Sequence, residues 1–556
     1  MSSSFIRTTA FSLGANSDLS DLYLPISGPI RYRNMSQTEE IGHPKPDVQQ
    51  HEGTEQEYVV NTQSRHVAGE LDEATERRVR RKLDRVVVSL AFTAYLLAFL
   101  DRSNIGNAQT AGMGSDLKFD DPHYQWLLTI FYIPYSKLLF APGIAGAQLL
   151  TNFLVVLEWL AMMWKIVPPH IWAFGTILTW GLAATLQAAA FNWKGLMICR
   201  FFLAAAEAGF APGIPYLLSF FYRRRELGLR CGIFLSAAPL ATTFAGALAF
   251  GITSGHPSIA NWRLLFLVEG LPTVLFAFVV FWYLPDSPDT AKFLTEEEKQ
   301  VAKARAILQT GMEGTERIGG KVHLADILSA FKSPQTLVMP LMFFSCNVSF
   351  ASLPVFLPAI LTTMGFTRIS AQGLTAPPYF LSFLVCIGTT YVADRTQQRG
   401  LMITGLSLIA GVGYILLATV KSIGVRYLGV FLAAAGVFPA IANILPWVLN
   451  NQGNDTKRGV GIAILNMIGQ CGPLLGTRVF PVTDKPYYVK GMSICAGFMF
   501  FNAILAILLR TYFAWENKRL AAAERSQAAA SGTEEKLDIG RLPTEIEGVI
   551  GYRYVL

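Results

Sequence analysis

Two short stretches place acids and bases where lipid-compatible residues should run on. "YLLAFLDRSNIGNAQTAGM", Tyr95–Met113, carries Asp101, Arg102 and Asn104; "CRFFLAAAEAGFAPGIPYLLSFF", Cys199–Phe221, carries Arg200 and Glu207. Arg200 and Glu207 are seven residues apart, two helical turns, so they share one helix face about 10 Å apart along the axis. The small residues Ala204, Ala208 and Gly209 allow a neighbouring helix to approach that face closely. A charged side chain inside a bilayer costs about 3 kcal/mol or more unless it faces a cavity or a partner. An arginine offers a carboxylate a two-pronged site, and an acid in a dehydrated pocket can carry a proton. Anion binding and proton handling in one cavity is the chemistry of coupled transport. The competing reading is that Asp101 with Arg200, or Arg102 with Glu207, form buried pairs that only fix helix packing.

Further along, "FPAIANILPWVLNN" carries Asn443, Pro446, Trp447, Asn450 and Asn451. The proline interrupts the backbone ladder and the side-chain amides are neutral hydrogen-bonding groups, which suits a cavity lining, a gating bend or contacts between helices. Asn347, Asn466 and Gln470 read the same way, as substrate-binding candidates. Glu269, beside Arg263 in "NWRLLFLVEG", is expected at the membrane interface. No phosphate-binding loop, zinc-ligand spacing or nucleophile elbow is present, so no enzyme, metal or cofactor is expected, only a proton as coupling ion.

The elements that must position these residues follow from composition. The 556 residues are 52% hydrophobic and only 15% charged, against nearer a quarter charged in soluble chains. The apolar residues fall in runs of the length a roughly 30 Å hydrocarbon core demands. Six spans are expected near 86–112, 124–163, 171–191, 195–222, 229–252 and 263–284, and six more near 335–364, 374–393, 401–420, 427–449, 459–480 and 491–514. The divisions are a disordered cytosolic tail over 1–80, an N-terminal six-helix bundle over 81–285, a central loop over 286–334, a C-terminal bundle over 335–516 and a cytosolic tail over 517–556. The fold class is therefore an all-α membrane protein with twelve transmembrane helices in two six-helix bundles. The net charge of +7 sits in loops, which points to a lipid bilayer rather than nucleic acid. Arg77, Arg78, Arg80, Arg81, Lys82 and Arg85, then Arg223–Arg225, Arg395, Arg399, Lys457 and Arg458, all fall on one side in a twelve-span count. By the positive-inside rule that side and both termini are cytosolic. The six cysteines lie in apolar segments and read as small core residues.

"LDRSNIGNA", the Cys199–Tyr222 stretch, "NWRLLFLVEGLPT" and "FPAIANILPWVLNNQGNDTKRGVGIAILNMIGQCGP", with the closing "YRYVL", resemble the major facilitator superfamily. Within it they are similar to the anion:cation symporters of the fungal allantoate permease branch. The resemblance spans about Arg80 to Asn517. It implies the major facilitator fold, moving by alternating access around a central site. Carried over by motif, Asp101 and Glu207 match proton-handling acids, and Arg102 and Arg200 match arginines near the substrate carboxylate. It implies a small organic anion as substrate, a carboxylate, ureide or vitamin-like molecule, taken up at the plasma membrane by a monomer. An exporter of an acidic secondary metabolite is the alternative on the same fold, and a nutrient-sensing transceptor the alternative of another class.

Two departures stand out. The superfamily loop GxxxDRxGRR has no aspartate in "MMWKIVPPHIW" between spans two and three. Between spans eight and nine "TTYVADRTQQRG" keeps Asp394, Arg395 and Arg399, the candidate gating residues, without the glycines. Span two is also too long. The family pattern has three residues between tyrosine and glutamate in "FYIPYxxxEWLAMMW", whereas 22 residues lie between Tyr135 and Glu158. The nineteen extra residues equal 57 nucleotides, and Ser136–Leu138 and Leu154–Val155 can encode intron donor and acceptor signals. Excision would leave "FYIPYIVLEWLAMMW". The hypothesis that residues 136–155 reflect a retained intron fails if transcripts uniformly contain those nucleotides.

Overall fold

Ten helices among the described residues are long and apolar enough to cross a bilayer. The computed structural model describes residues 73–134, 163–164, 167–211, 213–255, 258–310, 334–451, 455–531 and 553–556, all within the unit Val59–Leu556. The anomalous segment 136–155 and residues 1–72 lie outside them.

A short helix α1 (Glu73–Leu83) passes through a π-turn at Asp84–Val88 into α2 (Ser89–Thr110). Then come α3 (Asp121–Tyr132), α4 (Pro169–Leu186), α5 (Trp193–Phe210) with its continuation α6 (Gly213–Phe221), α7 (Arg224–Thr253) and α8 (Asn261–Tyr283). The central loop contributes α9 (Glu296–Thr310). The second half holds α10 (Pro334–Thr363), α11 (Arg368–Thr396), α12 (Arg399–Thr419), α13 (Ile423–Asn450), α14 (Asp455–Gly469), α15 (Gly472–Gly476) and α16 (Val489–Ser531). The expected eleventh span is thus two pieces, broken where Gly469 and Gly472 stand close against α10. The expected second span begins as α3, and its residues 135–162 lie outside the described residues.

Helix α8 shows how such elements read their surroundings. Trp262, Leu265, Phe266, Glu269, Gly270, Thr273, Ala277 and Val280 are buried at helical spacing, while Leu271, Leu275, Phe278, Trp282 and Tyr283 are exposed. Over the central turns Leu271, Leu275 and Phe278 face outward while Glu269, Gly270, Thr273 and Ala277 face inward, the reverse of a soluble helix. That is the arrangement lipid imposes, because lipid tails reward no burial of leucine and close helix packing needs small residues.

The ends of the helices agree with the charge pattern. Trp193 at the start of α5 donates its indole N–H to the His123 carbonyl at 3.0 Å, so α3 and α5 start at one end. His170 at the start of α4 donates its amide to Asp286 of the central loop at 2.9 Å, so α4 starts at the other. That second end gathers the basic loops in a network. Arg80 meets Glu226 at 3.0 Å, Lys82 meets Glu298 at 2.7 Å, Arg230 meets Asp84 at 2.7 Å and Arg305 meets Glu76 at 2.8 Å as well as Glu226. These pairs tie α1, α7 and α9 together. All six cysteines are free.

The halves touch at both ends. At the end away from the basic loops, Gln372 of α11 donates to Thr110 of α2 at 2.8 Å and accepts from Thr253 of α7 at 2.8 Å. Gly106 of α2 lies so close to α10 that a Cβ there would sit 2.7 Å from the Val355 carbonyl oxygen.

Candidate functional site: a buried acid and arginine cluster

The first half brings its ionisable residues together between α2, α5 and α8. The Arg102 guanidinium on α2 donates to a Glu207 carboxylate oxygen on α5 at 2.5 Å, and the glutamate is fully buried. Arg200, two helical turns before Glu207 on the same face, turns its guanidinium to the carbonyl of Arg102 at 3.4 Å and 3.5 Å. The seven-residue spacing therefore does present both α5 side chains to one residue of α2. Phe131 of α3 lies between the two cations, 5.0 Å from the Arg102 guanidinium carbon and 5.7 Å from that of Arg200. Its ring face is a weak anion surrogate for both.

The pairing differs from one of the two combinations expected. Asp101 does not meet Arg200: its carboxylate accepts the Thr273 hydroxyl of α8 at 3.0 Å. Thr273 also leans on the carbonyl of Glu269 at 3.3 Å, one turn earlier on the same helix. Glu269 is therefore not interfacial. It is 3% exposed, on the inward stripe of α8, with neither carboxylate oxygen hydrogen-bonded among the described residues. Among those residues no carboxylate lies within ion-pair distance of Arg200, which is 1% exposed and has no partner at Nε. Asn104, fully buried, likewise leaves its amide unpartnered.

The second half closes the cluster with aromatic rings. Phe99, one turn before Arg102 and 5.5 Å from its guanidinium carbon, packs 5.2 Å from Phe350 of α10 and 6.2 Å from Phe438 of α13. Tyr379 of α11 stands 5.5 Å from Phe438. Sequence reasoning passed over these rings, as over Phe131 and Thr273, because an aromatic residue in an apolar span carries no mark of which way it faces. The small residues Gly270, Thr273 and Ala277 at helical spacing were the available signal for the inward face of α8.

The amides of the second half are occupied otherwise. Asn347 donates to the Gly469 carbonyl at 3.3 Å, joining α10 to α14. Asn466 donates its side-chain amide to the Ile462 carbonyl of its own helix at 2.9 Å, and the backbone N–H of Gln470 donates to the Asn466 carbonyl at 2.9 Å. Asn443 donates to the Pro439 carbonyl at 2.9 Å and to Thr389 of α11 at 3.4 Å, leaving its side-chain oxygen without a partner. Trp447 lies apart from the cluster, about 13 Å farther along α13 than Phe438 at 1.5 Å per residue. Its indole donates to the Val555 carbonyl at 2.8 Å.

The gating residues divide. Asp394 and Arg399 form a buried ion pair, and Asp394 also accepts the Leu229 amide of α7 at 2.6 Å, a clamp from the second half onto the first. Arg395 points away, exposed, with its guanidinium over Tyr391.

The sequence and the fold match known proteins. The profile of the Major Facilitator Superfamily aligns with residues 91–477. The chain belongs to that superfamily. It is 31% identical over 452 residues to the MFS-type transporter efuF of Hormonema carpetanum, covering 81% of this chain and 87% of the relative. It is 30% identical over 444 residues to the high-affinity nicotinic acid transporter of Saccharomyces cerevisiae, covering 80% and 79%. Among solved structures, the E. coli fucose:proton symporter shares the fold with a TM-score of 0.52 at 14% identity, over 75% of this chain and 98% of that one. A bacterial homologue of the human lysosomal transporter Spinster superposes with a TM-score of 0.50 at 16% identity, over 77% and 97%. The protein is thus a multi-pass membrane protein and a secondary transporter rather than an enzyme.

Proposed function

We propose that this transporter takes up a small organic anion together with a proton, by alternating access, and that it belongs to the anion:cation symporters of the allantoate permease branch. The observation that carries the reading is Arg200, a buried guanidinium with no carboxylate partner among the described residues, next to a second arginine that has one. A buried cation without its counter-ion is costly, and a substrate carboxylate supplies the missing charge. Glu207 then links the two ligands. Protonation of Glu207 discharges its pair with Arg102 and frees that guanidinium to share the substrate anion with Arg200. Asp101, tied to Thr273, is the second acid available for the proton pathway. Asn104 and the unpaired oxygen of Asn443 offer neutral contacts for the rest of the substrate, and the rings of Phe99, Phe350 and Phe438 enclose it.

Similarity to a nicotinic acid transporter supports a carboxylate as the anion. The charge pattern supports cytosolic termini and a cytosolic basic end, and plasma-membrane uptake by a monomer completes the reading. The test is uptake of a panel of labelled carboxylates, nicotinate among them, in cells expressing the chain with residues 136–155 replaced by a single isoleucine, beside the full chain. It is run at acidic and neutral external pH, with and without a protonophore. Acid-stimulated, protonophore-sensitive uptake of one compound is expected. Surface-expressed protein that takes up none of them overturns the reading in favour of export of an acidic metabolite. Arg200→Ala is expected to raise the half-saturation concentration roughly ten- to hundredfold, since a hydrogen bond to a charged group contributes about 1.5–3 kcal/mol. An unchanged half-saturation value would remove Arg200 from the site.

A further inference from the structure

The sequence ends in a motif that the transport cycle above leaves unused, and the structure seats it on five side chains and one backbone amide from three helices. The Asn517 side chain of α16 pairs with both backbone groups of Tyr554, accepting its amide at 2.7 Å and donating to its carbonyl at 2.8 Å. The Asn451 side chain, just after α13, does the same to Val555 at 2.8 Å and 3.1 Å. Trp447 adds a second donor to the Val555 carbonyl. Arg553 forms a two-pronged pair with Glu524 at 2.9 Å and 2.6 Å, and the Tyr554 ring stacks on Phe513 at 5.0 Å. The Leu556 carbonyl then accepts the Gly400 amide at 3.2 Å. The opening amides of a helix have no partner within it, so Leu556 caps the first turn of α12 from outside.

That turn carries the clamp. Arg399 precedes Gly400 directly and holds Asp394, which in turn holds the Leu229 amide across the two halves. Arg399 is fully buried, and its Nε and Nη1 have no partner among the described residues. Its guanidinium is thus incompletely satisfied where it stands, and the fixing of the backbone beside it comes from the docked segment.

We propose that the groove between α12, α13 and α16 is a binding site for this chain's own segment 553–556, and that the seated segment is a latch on the clamp between Asp394, Arg399 and α7. Docked, it caps α12 and holds Arg399 on Asp394. Released, it lets the α11–α12 turn swing and that end of the transporter open. The latch goes beyond the transport reading and requires neither its substrate nor its proton.

Cys231 reports the clamp. It is fully buried on α7, three residues after Gly228 and so on the same helix face. Cys495, fully buried on α16, reports general loosening of the second half. Purified full chain and a variant lacking 553–556 are exposed to a maleimide, and modification of each cysteine is followed by peptide mass mapping. Removal of the segment is expected to speed Cys231 labelling about tenfold, the effect of a 1.4 kcal/mol shift in the opening equilibrium, with Cys495 unchanged. A synthetic Arg-Tyr-Val-Leu peptide is expected to restore protection. Asn517→Ala keeps the segment but breaks its hydrogen-bond pair, and is expected to act in the same direction, which carries the test if the truncated chain does not fold. Unchanged Cys231 labelling in these variants overturns the latch. Cys231 and Cys495 accelerating together, without reversal by peptide, overturns it too, because the segment is then ordinary packing.

Discussion

Glu207→Gln is expected to abolish accumulation of substrate against its gradient while leaving exchange of substrate across the membrane intact. Glutamine keeps an oxygen that can accept the Arg102 guanidinium, so the contact at α2 and α5 survives in shape, but it has no proton to gain or lose. A monovalent anion carried with one proton crosses without net charge, so the pH difference alone drives it. One pH unit is worth about 1.36 kcal/mol, or roughly tenfold accumulation per proton. The wild-type protein should reach about that ratio across a one-unit gradient, whereas Glu207→Gln should not raise substrate above its external concentration. Glu207→Ala is a poorer probe, since it strands Arg102 as a buried unpaired charge at a cost of about 3 kcal/mol or more. Normal accumulation by Glu207→Gln would move the proton to another acid, with Asp101 and Glu269 the next candidates.

Gly228→Val is expected to cut the transport rate while substrate still binds. A Cβ at Gly228 would land on the Arg399 guanidinium and the Asp394 carboxylate. Arg399 has no room to retreat, being fully buried, so the branched side chain must push the two halves apart. Overpacking of this kind costs about 1–3 kcal/mol, and every 1.4 kcal/mol is tenfold in an equilibrium constant. The clamped state should therefore be depopulated roughly five- to hundredfold, with turnover limited by how seldom that end closes. Comparing the uptake rate with equilibrium binding of the same substrate separates the two effects. Equal losses in both would mean the change has damaged the site, and an unchanged rate would mean the clamp is no part of the cycle.

Both variants depend on contacts that were legible in the sequence to different degrees. The residues of the first-half cluster were visible because a charge in an apolar run is conspicuous at any spacing. The shared face of Arg200 and Glu207 followed from helix geometry alone. Which acid met which arginine did not follow, because Asp101 and Arg102 are adjacent and leave α2 in different directions. Rotation of α2 against α5 and α8 sent Asp101 to Thr273 and Arg102 to Glu207. Glu269 read as interfacial because it lies near the start of a span; its burial depends on the inward stripe of α8 and on the approach of α2. In the second half, neutral amides at Asn347 and Asn466 bond to carbonyls of a neighbouring helix or of their own. A side-chain amide is as useful to a helix contact as to a substrate, so its presence in a span does not distinguish the two.

The sequence by itself determined the all-helical membrane architecture, the gathering of basic loops at one end, and the identity of the ionic residues, because hydropathy and the cost of a bare charge in lipid are properties of short segments. Tertiary structure decided the partners. It joined Asp394 and Arg399 to α7, left Arg395 exposed, seated Trp447 on Val555 apart from the cluster, and laid the last four residues across helices far from them in the chain. A hydrogen bond acts over about 3 Å, and only the packing of helices against one another brings residues so distant in sequence within that reach.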